Sequence, residues 1–218
     1  MTKYILDITS VPPLSKNKPQ QAIILCHGYG GDGKDISMLA INWQRFLPDA
    51  IFLCPNAPEI CSVNPRGYQW FDLTSENQEY ILEKSLVAER KLSKFLDEIL
   101  NDYKLEANAL ALVGFSQGTM ISIQVGLKKK EKINCLIGYS GKIINQKHLS
   151  ENIISKPKML LMHGTKDIIV PATNLLEAKE YLNKHHVKVK TKMFKDCEHK
   201  IPVEGSSLGL RFLKKNLL

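Results

Sequence analysis

The sequence predicts an α/β protein built on a mostly parallel, doubly wound sheet with helices on both faces. Two observations predict this. Short apolar runs alternate with helical patterns along most of the chain, as repeated strand–helix–strand units do. The runs are also continuously apolar, as strands covered on both faces are. At 218 residues, with 44% hydrophobic and 24% charged, the chain fits one α/β domain over residues 1–218. A chain of this size buries roughly 70–75% of its unfolded surface, enough for a rigid core without staples.

In order, strands are expected at residues 22–26, 50–54, 109–113, 133–137 and 158–162. Most of these end at glycine or proline. A sixth, 187–194, is more polar and belongs nearer an edge. Helices are expected at 82–103, 117–127, 172–185 and 205–215. The first of these places Leu82, Leu86, Leu92, Phe95, Leu96, Ile99 and Leu100 close to a 3.6 period. Gly, Pro and Asn crowd residues 55–67, which reads as a long surface excursion. Long loops in compact domains are more often functional than idle, so this one is a candidate pocket wall. In doubly wound sheets, ligands bind beyond the carboxyl ends of the strands.

The strongest chemical signal is Gly114-Phe115-Ser116-Gln117-Gly118. It fits G-x-S-x-G between an apolar strand and a helix, the setting of the nucleophile elbow in an α/β-hydrolase fold. Small residues on either side of the serine let neighbouring backbone approach. A hydroxyl at a helix N-terminus also meets amide N–H groups that face developing negative charge. A serine needs a base to take its proton. Of six histidines, His199 is the expected base, because it follows the last strand and precedes the terminal helix. The triad order in this fold is serine, acid, histidine. His185 and His186 sit at a helix end, His148 in a polar connection, and His27 and His163 before glycines, where they shape loops. Asp167, just past strand 158–162, is the expected acid, holding the imidazole in the right tautomer. Asp196 is nearer in sequence, but three residues along one loop is a poor triad geometry. The glycine-rich stretch His27-Gly28-Tyr29-Gly30-Gly31-Asp32-Gly33 frees the backbone to aim N–H groups inward. The N–H groups of Tyr29 and Gln117 are the expected oxyanion donors. Read as G-x-G-x-x-G, the stretch fails by one position, and no G-K-[ST] element follows.

Composition narrows the partners. Net charge is +8, which would suit anionic lipid, acyl-CoA or nucleic acid. A solvated lysine-rich surface is the simpler account. The densest run, Lys128 to Lys132, follows a helix, where cations oppose the dipole. No aromatic residues interleave with it, which argues against nucleic acid. The five cysteines form no CxxC pair and read as buried thiols in a cytoplasmic protein. The N-terminus lacks a signal-peptide apolar region, and no stretch approaches ~20 apolar residues, so no membrane insertion is expected.

Together these residues resemble the carboxylesterase/phospholipase family, which includes acyl-protein thioesterases and small bacterial carboxylesterases. The resemblance spans nearly the whole chain. It is carried by Leu25 to Gly30, Cys54-Pro55-Asn56-Ala57-Pro58, Gly67-Tyr68-Gln69-Trp70-Phe71, the elbow, His163 to Asp167 with Val170-Pro171, and Glu198 to Ile201. The Pro-Asn-Ala-Pro segment and the Trp-Phe pair are far more specific than the elbow. The extra glycine, Gly31, which separates Gly30 from Asp32, resembles the bacterial esterase branch. A departure is Asp196-Cys197-Glu198, where a glycine-rich stretch is common. The resemblance implies a compact α/β-hydrolase fold with no large lid, and hydrolysis of carboxylic esters or acyl thioesters without metal or cofactor. It also implies that Trp70 lines the acyl pocket, and it allows a homodimer. The leading expectation is a carboxylesterase for short to medium acyl chains, acting on a small-molecule ester or thioester. The alternatives are an acyl-protein thioesterase or lysophospholipase, a non-catalytic binding protein of the same fold, and a membrane-surface protein acting through its basic face.

Overall fold

The computed structural model describes residues 3–218. Its elements run β1 (Ile8–Val11), β2 (Gln21–Cys26), α1 (Gly33–Gln44), β3 (Ala50–Pro55), β4 (Glu59–Ile60), β5 (Tyr68–Gln69) and α2 (Gln78–Tyr103). There follow β6 (Leu110–Phe115), α3 (Gln117–Lys128), β7 (Cys135–Tyr139), α4 (Gln146–Ser150), β8 (Lys158–Gly164), α5 (Thr173–Lys184), β9 (Val189–Phe194) and α6 (Val203–Leu217). Seven strands form one sheet in the order β1-β3-β2-β6-β7-β8-β9. Only β1 is antiparallel, against β3. The other neighbours are parallel.

The continuous apolar runs are explained by two cores. Ile24 and Leu112 face one side, with Leu92, Phe95 and Leu96 of α2, Ile121 of α3 and Leu182 of α5. Ile23, Leu25 and Val113 face the other, with Leu39 and Trp43 of α1 and Leu213 of α6. Successive strand residues point to opposite faces, so every position of β2 past Gln21 must be apolar. The more polar β9 does lie at an edge.

Sequence periodicity missed several elements. Helix α1 begins at Gly33, which reads as loop. Yet Asp32 caps it, accepting from the Asp35 N–H at 2.7 Å, and Ile36, Leu39, Ala40 and Trp43 keep helical spacing. Strand β1 is four residues long and half-exposed, so it carries no apolar run. The fourth expected strand, 133–137, is shifted: β7 starts at Cys135. The excursion at 55–67 holds β4, and β4 pairs with β5 as a small antiparallel ribbon. That ribbon is tied to the glycine loop after β2, where the Gly30 N–H donates to the Tyr68 carbonyl (2.9 Å) and the Tyr68 N–H to that of Gly31 (2.8 Å).

Half of the basic run is paired within the fold, and Lys130 and Lys132 are exposed. Lys128 pairs with Glu89 at 2.7 Å, and the buried Lys129 pairs with Asp97, both carboxylates from α2. All five cysteines are free and buried. Burial pushes the thiols of Cys26, Cys54 and Cys135 up to about 12, which makes them inert. Among the described residues, no helix is long and apolar enough to cross a membrane.

Candidate active site

Strands β2 and β6 are neighbours, with Cys26 opposite Gly114. The chain leaves them in opposite directions across the sheet, so the glycine loop and the elbow meet at a topological switch point. Ser116 is the N-cap of α3, at φ 52° and ψ −119°. A non-glycine residue in this region costs of order 1–3 kcal/mol and persists only where its surroundings dictate it. Here the Ser116 N–H donates to the Tyr139 carbonyl at 2.8 Å, and its own carbonyl accepts from Thr119 at 2.9 Å. The flanking glycines are compulsory. A Cβ on Gly114 would lie 2.4 Å from the Thr119 nitrogen, and one on Gly118 only 2.0 Å from the Cys26 oxygen. The twisted backbone also withholds the Ser116 hydroxyl from capping its own helix.

Asp167 and His199 come together from the loops after β8 and β9. His199 Nδ1 lies 2.8 Å from Asp167 Oδ2. The other carboxylate oxygen accepts the N–H groups of Ile169 (3.1 Å) and Val170 (2.8 Å). Burial works to raise the Asp167 pKa. The Val170 N–H, the His199 imidazole and Ser140 outweigh it and hold the carboxyl below its usual range. A charged acceptor beside Nδ1 places the imidazole proton there and leaves Nε2 as the basic nitrogen. Ser116 stands apart from this pair. Among the described residues, no hydrogen bond joins its hydroxyl to His199. The link is instead Phe115, whose ring centroid lies 4.9 Å from that of the imidazole.

The glycine loop lies directly on the serine, since a Cβ on Gly28 would sit 3.2 Å from the Ser116 Cβ. Neither the Tyr29 nor the Gln117 N–H donates to a protein acceptor among the described residues. His27 holds this loop, as expected of a loop-shaping histidine. Its Nε2 accepts the Ala57 N–H at 2.9 Å, so its Nδ1 carries the proton and donates to the Gly28 carbonyl at 2.7 Å. Burial lowers its pKa. The Pro-Asn-Ala-Pro segment thereby gains a physical role, because Asn56 Oδ1 also accepts the Gly33 N–H at 2.8 Å. His163 likewise shapes a loop. Its Nε2–H donates to the Val170 carbonyl at 2.8 Å and lies 3.2 Å from Asp167 Oδ2.

Trp70 corrects the sequence expectation. It is fully buried and lines neither hollow beside Ser116. Its indole N–H donates to the His27 carbonyl at 3.0 Å, so it props the glycine loop from beneath. Phe71 takes the pocket wall instead. The Gln117 side chain was missed. It accepts the Trp70 N–H at 2.8 Å and donates to the Phe71 carbonyl at 2.7 Å, clamping that segment to the elbow. A long-range clamp of this kind leaves no trace in local sequence.

Two hollows open at the elbow and the glycine loop. One, about 200 Å³, is lined by Ser116, Phe71, Ile81, Met120, Lys142 and Ile144 among others. The other, about 400 Å³ and more open, is lined by His199, Phe115, Gly28 and Ile201. Tyr29 borders both. A larger groove of about 790 Å³ between α1 and α6 holds none of the polar residues predicted for the site.

Residues 11–217 match the family model described as Phospholipase/Carboxylesterase. An acyl-protein thioesterase 1 of Emericella nidulans is 29% identical over 181 residues, covering 74% of each chain. The esterase YpfH of Escherichia coli is 25% identical over 207 residues, covering 92% of this chain and 85% of that one. The crystal structure of esterase PE8 superposes with a TM-score of 0.93 at 33% identity, covering 97% of this chain and 99% of that one.

Proposed function

The chain belongs to the phospholipase/carboxylesterase family of α/β-hydrolase enzymes, and from that premise we propose that it is a serine carboxylesterase acting through Ser116, His199 and Asp167. The observation that carries this reading is the 2.8 Å contact between Asp167 and His199, whose imidazole packs on Phe115, the neighbour of a serine on a strained elbow. Ser116 Oγ attacks the acyl carbon while His199 Nε2 takes its proton, and the hydroxyl–imidazole contact tightens when substrate binds. The N–H groups of Tyr29 and Gln117 receive the oxyanion, each worth ~3–4 kcal/mol. The C–O or C–S bond then breaks as His199 passes the proton to the leaving alcohol or thiolate. Water, activated by His199, releases the acid. No metal or cofactor takes part in this scheme.

The proton's destination assigns the two hollows. The leaving group must lie on the imidazole side, in the open cleft with His199. The acyl chain then occupies the cavity of about 200 Å³, whose size supports short to medium acyl chains. Buried thiols support a cytoplasmic location.

A fluorophosphonate should form an adduct on Ser116, detected by peptide mass. Ser116→Ala should lose ~10⁴–10⁶ in rate, since triad members act as a unit. Retained esterase activity in that variant would overturn the mechanism. A second reading, acyl-protein thioesterase, is favoured by the names of several relatives. Comparing p-nitrophenyl esters with an S-acyl peptide and a lysophospholipid separates the readings.

A further inference from the structure

The lining of the cavity assigned to the acyl chain includes one ionic residue, and it is a cation. Phe71, Leu73, Ile81, Met120 and Ile144 make its walls apolar, and no aspartate or glutamate lines it. Lys142 is half-buried there. Among the described residues it makes no ion pair, so no protein carboxylate neutralises it. A wall of hydrocarbon alone would suffice for a plain fatty acyl group. An ammonium on such a wall costs desolvation when the cavity fills, unless the ligand supplies the counter-charge.

We propose that this cavity selects acyl groups carrying a carboxylate at the far end from the scissile bond, with Lys142 as the counter-ion. The substrate class is then the half-ester or half-thioester of a dicarboxylic acid. The inference rests on the reading of Ser116 as nucleophile and of this cavity as the acyl site. In the first step the Ser116 Oγ–carbonyl bond forms and the ester C–O or thioester C–S bond breaks, with the serine proton passing to the leaving group. In the second, water replaces Ser116 at the carbonyl. The half-ester anion and one water yield the dicarboxylate, the alcohol or thiol, and one proton.

The test compares chains of equal length. The p-nitrophenyl half-esters of adipic and suberic acid are set against p-nitrophenyl hexanoate and octanoate, and the charged-to-neutral ratio of kcat/KM is the readout. A ratio cancels any general effect of a substitution on folding or turnover. In the parent protein the ratio should exceed one and fall with added salt, as charge pairing does. Lys142→Met should lower it by about tenfold to a hundredfold, the scale of one charge-assisted hydrogen bond. Lys142→Arg should keep it, and Lys142→Glu should lower it further. A ratio unmoved by Lys142→Met, with the neutral esters still hydrolysed, would overturn the inference alone. If the parent hydrolysed none of the four esters and Ser116 took no fluorophosphonate, the hydrolase reading would fall and this one with it.

Discussion

Asp167→Asn isolates what the carboxylate does, because the substitution keeps shape and changes only charge and hydrogen-bonding sense. One oxygen of Asp167 accepts two backbone N–H groups, from Ile169 and Val170. The other faces His199 Nδ1 at 2.8 Å and His163 Nε2 at 3.2 Å. Asparagine offers these four partners one acceptor oxygen and one NH₂ group that can only donate. If its oxygen serves the backbone pair, its NH₂ faces both imidazoles. His163 already aims its Nε2–H at the Val170 carbonyl, so donor meets donor there. His199 would have to accept at Nδ1, which moves its proton to Nε2, the wrong tautomer for a base. If the amide flips, its NH₂ opposes two N–H groups of the loop instead. Neither orientation works. The wrong tautomer costs ~10⁴ in kcat, or about 5.4 kcal/mol of barrier. Loss of the charged acceptor should also remove ~1.5–3 kcal/mol of stability. Steady-state kinetics on p-nitrophenyl butyrate, with urea unfolding of the same sample, reads both quantities. A kcat within tenfold of the parent would refute the reasoning.

Gly118→Ala places its Cβ 2.0 Å from the Cys26 oxygen and 2.6 Å from that of His27. Both are backbone, so the elbow must shift. About 1–3 kcal/mol of stability and ~10²-fold in kcat should be lost as the Gln117 N–H moves off target, whereas full activity with an unaltered melt would contradict the geometry. Trp70→Phe removes the indole bond to His27 and leaves a buried carbonyl unpaired, at ~1–3 kcal/mol. Its preference for acyl length should stay that of the parent. A shift in that preference would restore Trp70 to the pocket wall. Stability should fall in acid by two steps. The folded pKa of His27 is depressed by burial, so above the unfolded value of ~6.5 both states are neutral and nothing is lost. As pH drops through ~6.5 the unfolded chain binds a proton that the folded one refuses, and stability declines until the folded pKa is passed. Asp167, also depressed, withdraws its contribution below ~3.9. Melting temperature against pH follows both steps, and an unaltered slope between pH 6.5 and 5 in His27→Gln would exclude His27 as the source of the first.

The sequence by itself determined the α/β class and the elbow, because two-sided burial and a tight strand-to-helix turn each demand residue types within a few positions. Continuous apolar β2 and the flanking Gly114 and Gly118 are local constraints that local pattern records. Helix α1 was legible in principle, from the Asp32 cap and the spacing of Ile36, Leu39, Ala40 and Trp43. Its opening glycine hid it. What holds the glycine loop was not legible. His27, Ala57, Trp70 and Gln117 meet there from four separate segments, and periodicity carries no information about partners 30 to 47 residues away. Only the folded chain decided that Trp70 is a prop rather than a wall, since an aromatic residue suits a core and a pocket equally well in sequence. The tertiary structure likewise set the Asp167 carboxylate against His199 Nδ1 and put Lys142, without an ion pair among the described residues, in the lining of the cavity that Ser116 shares. Both follow from which charges end up as neighbours, a property of the assembled sheet and its loops rather than of any one segment.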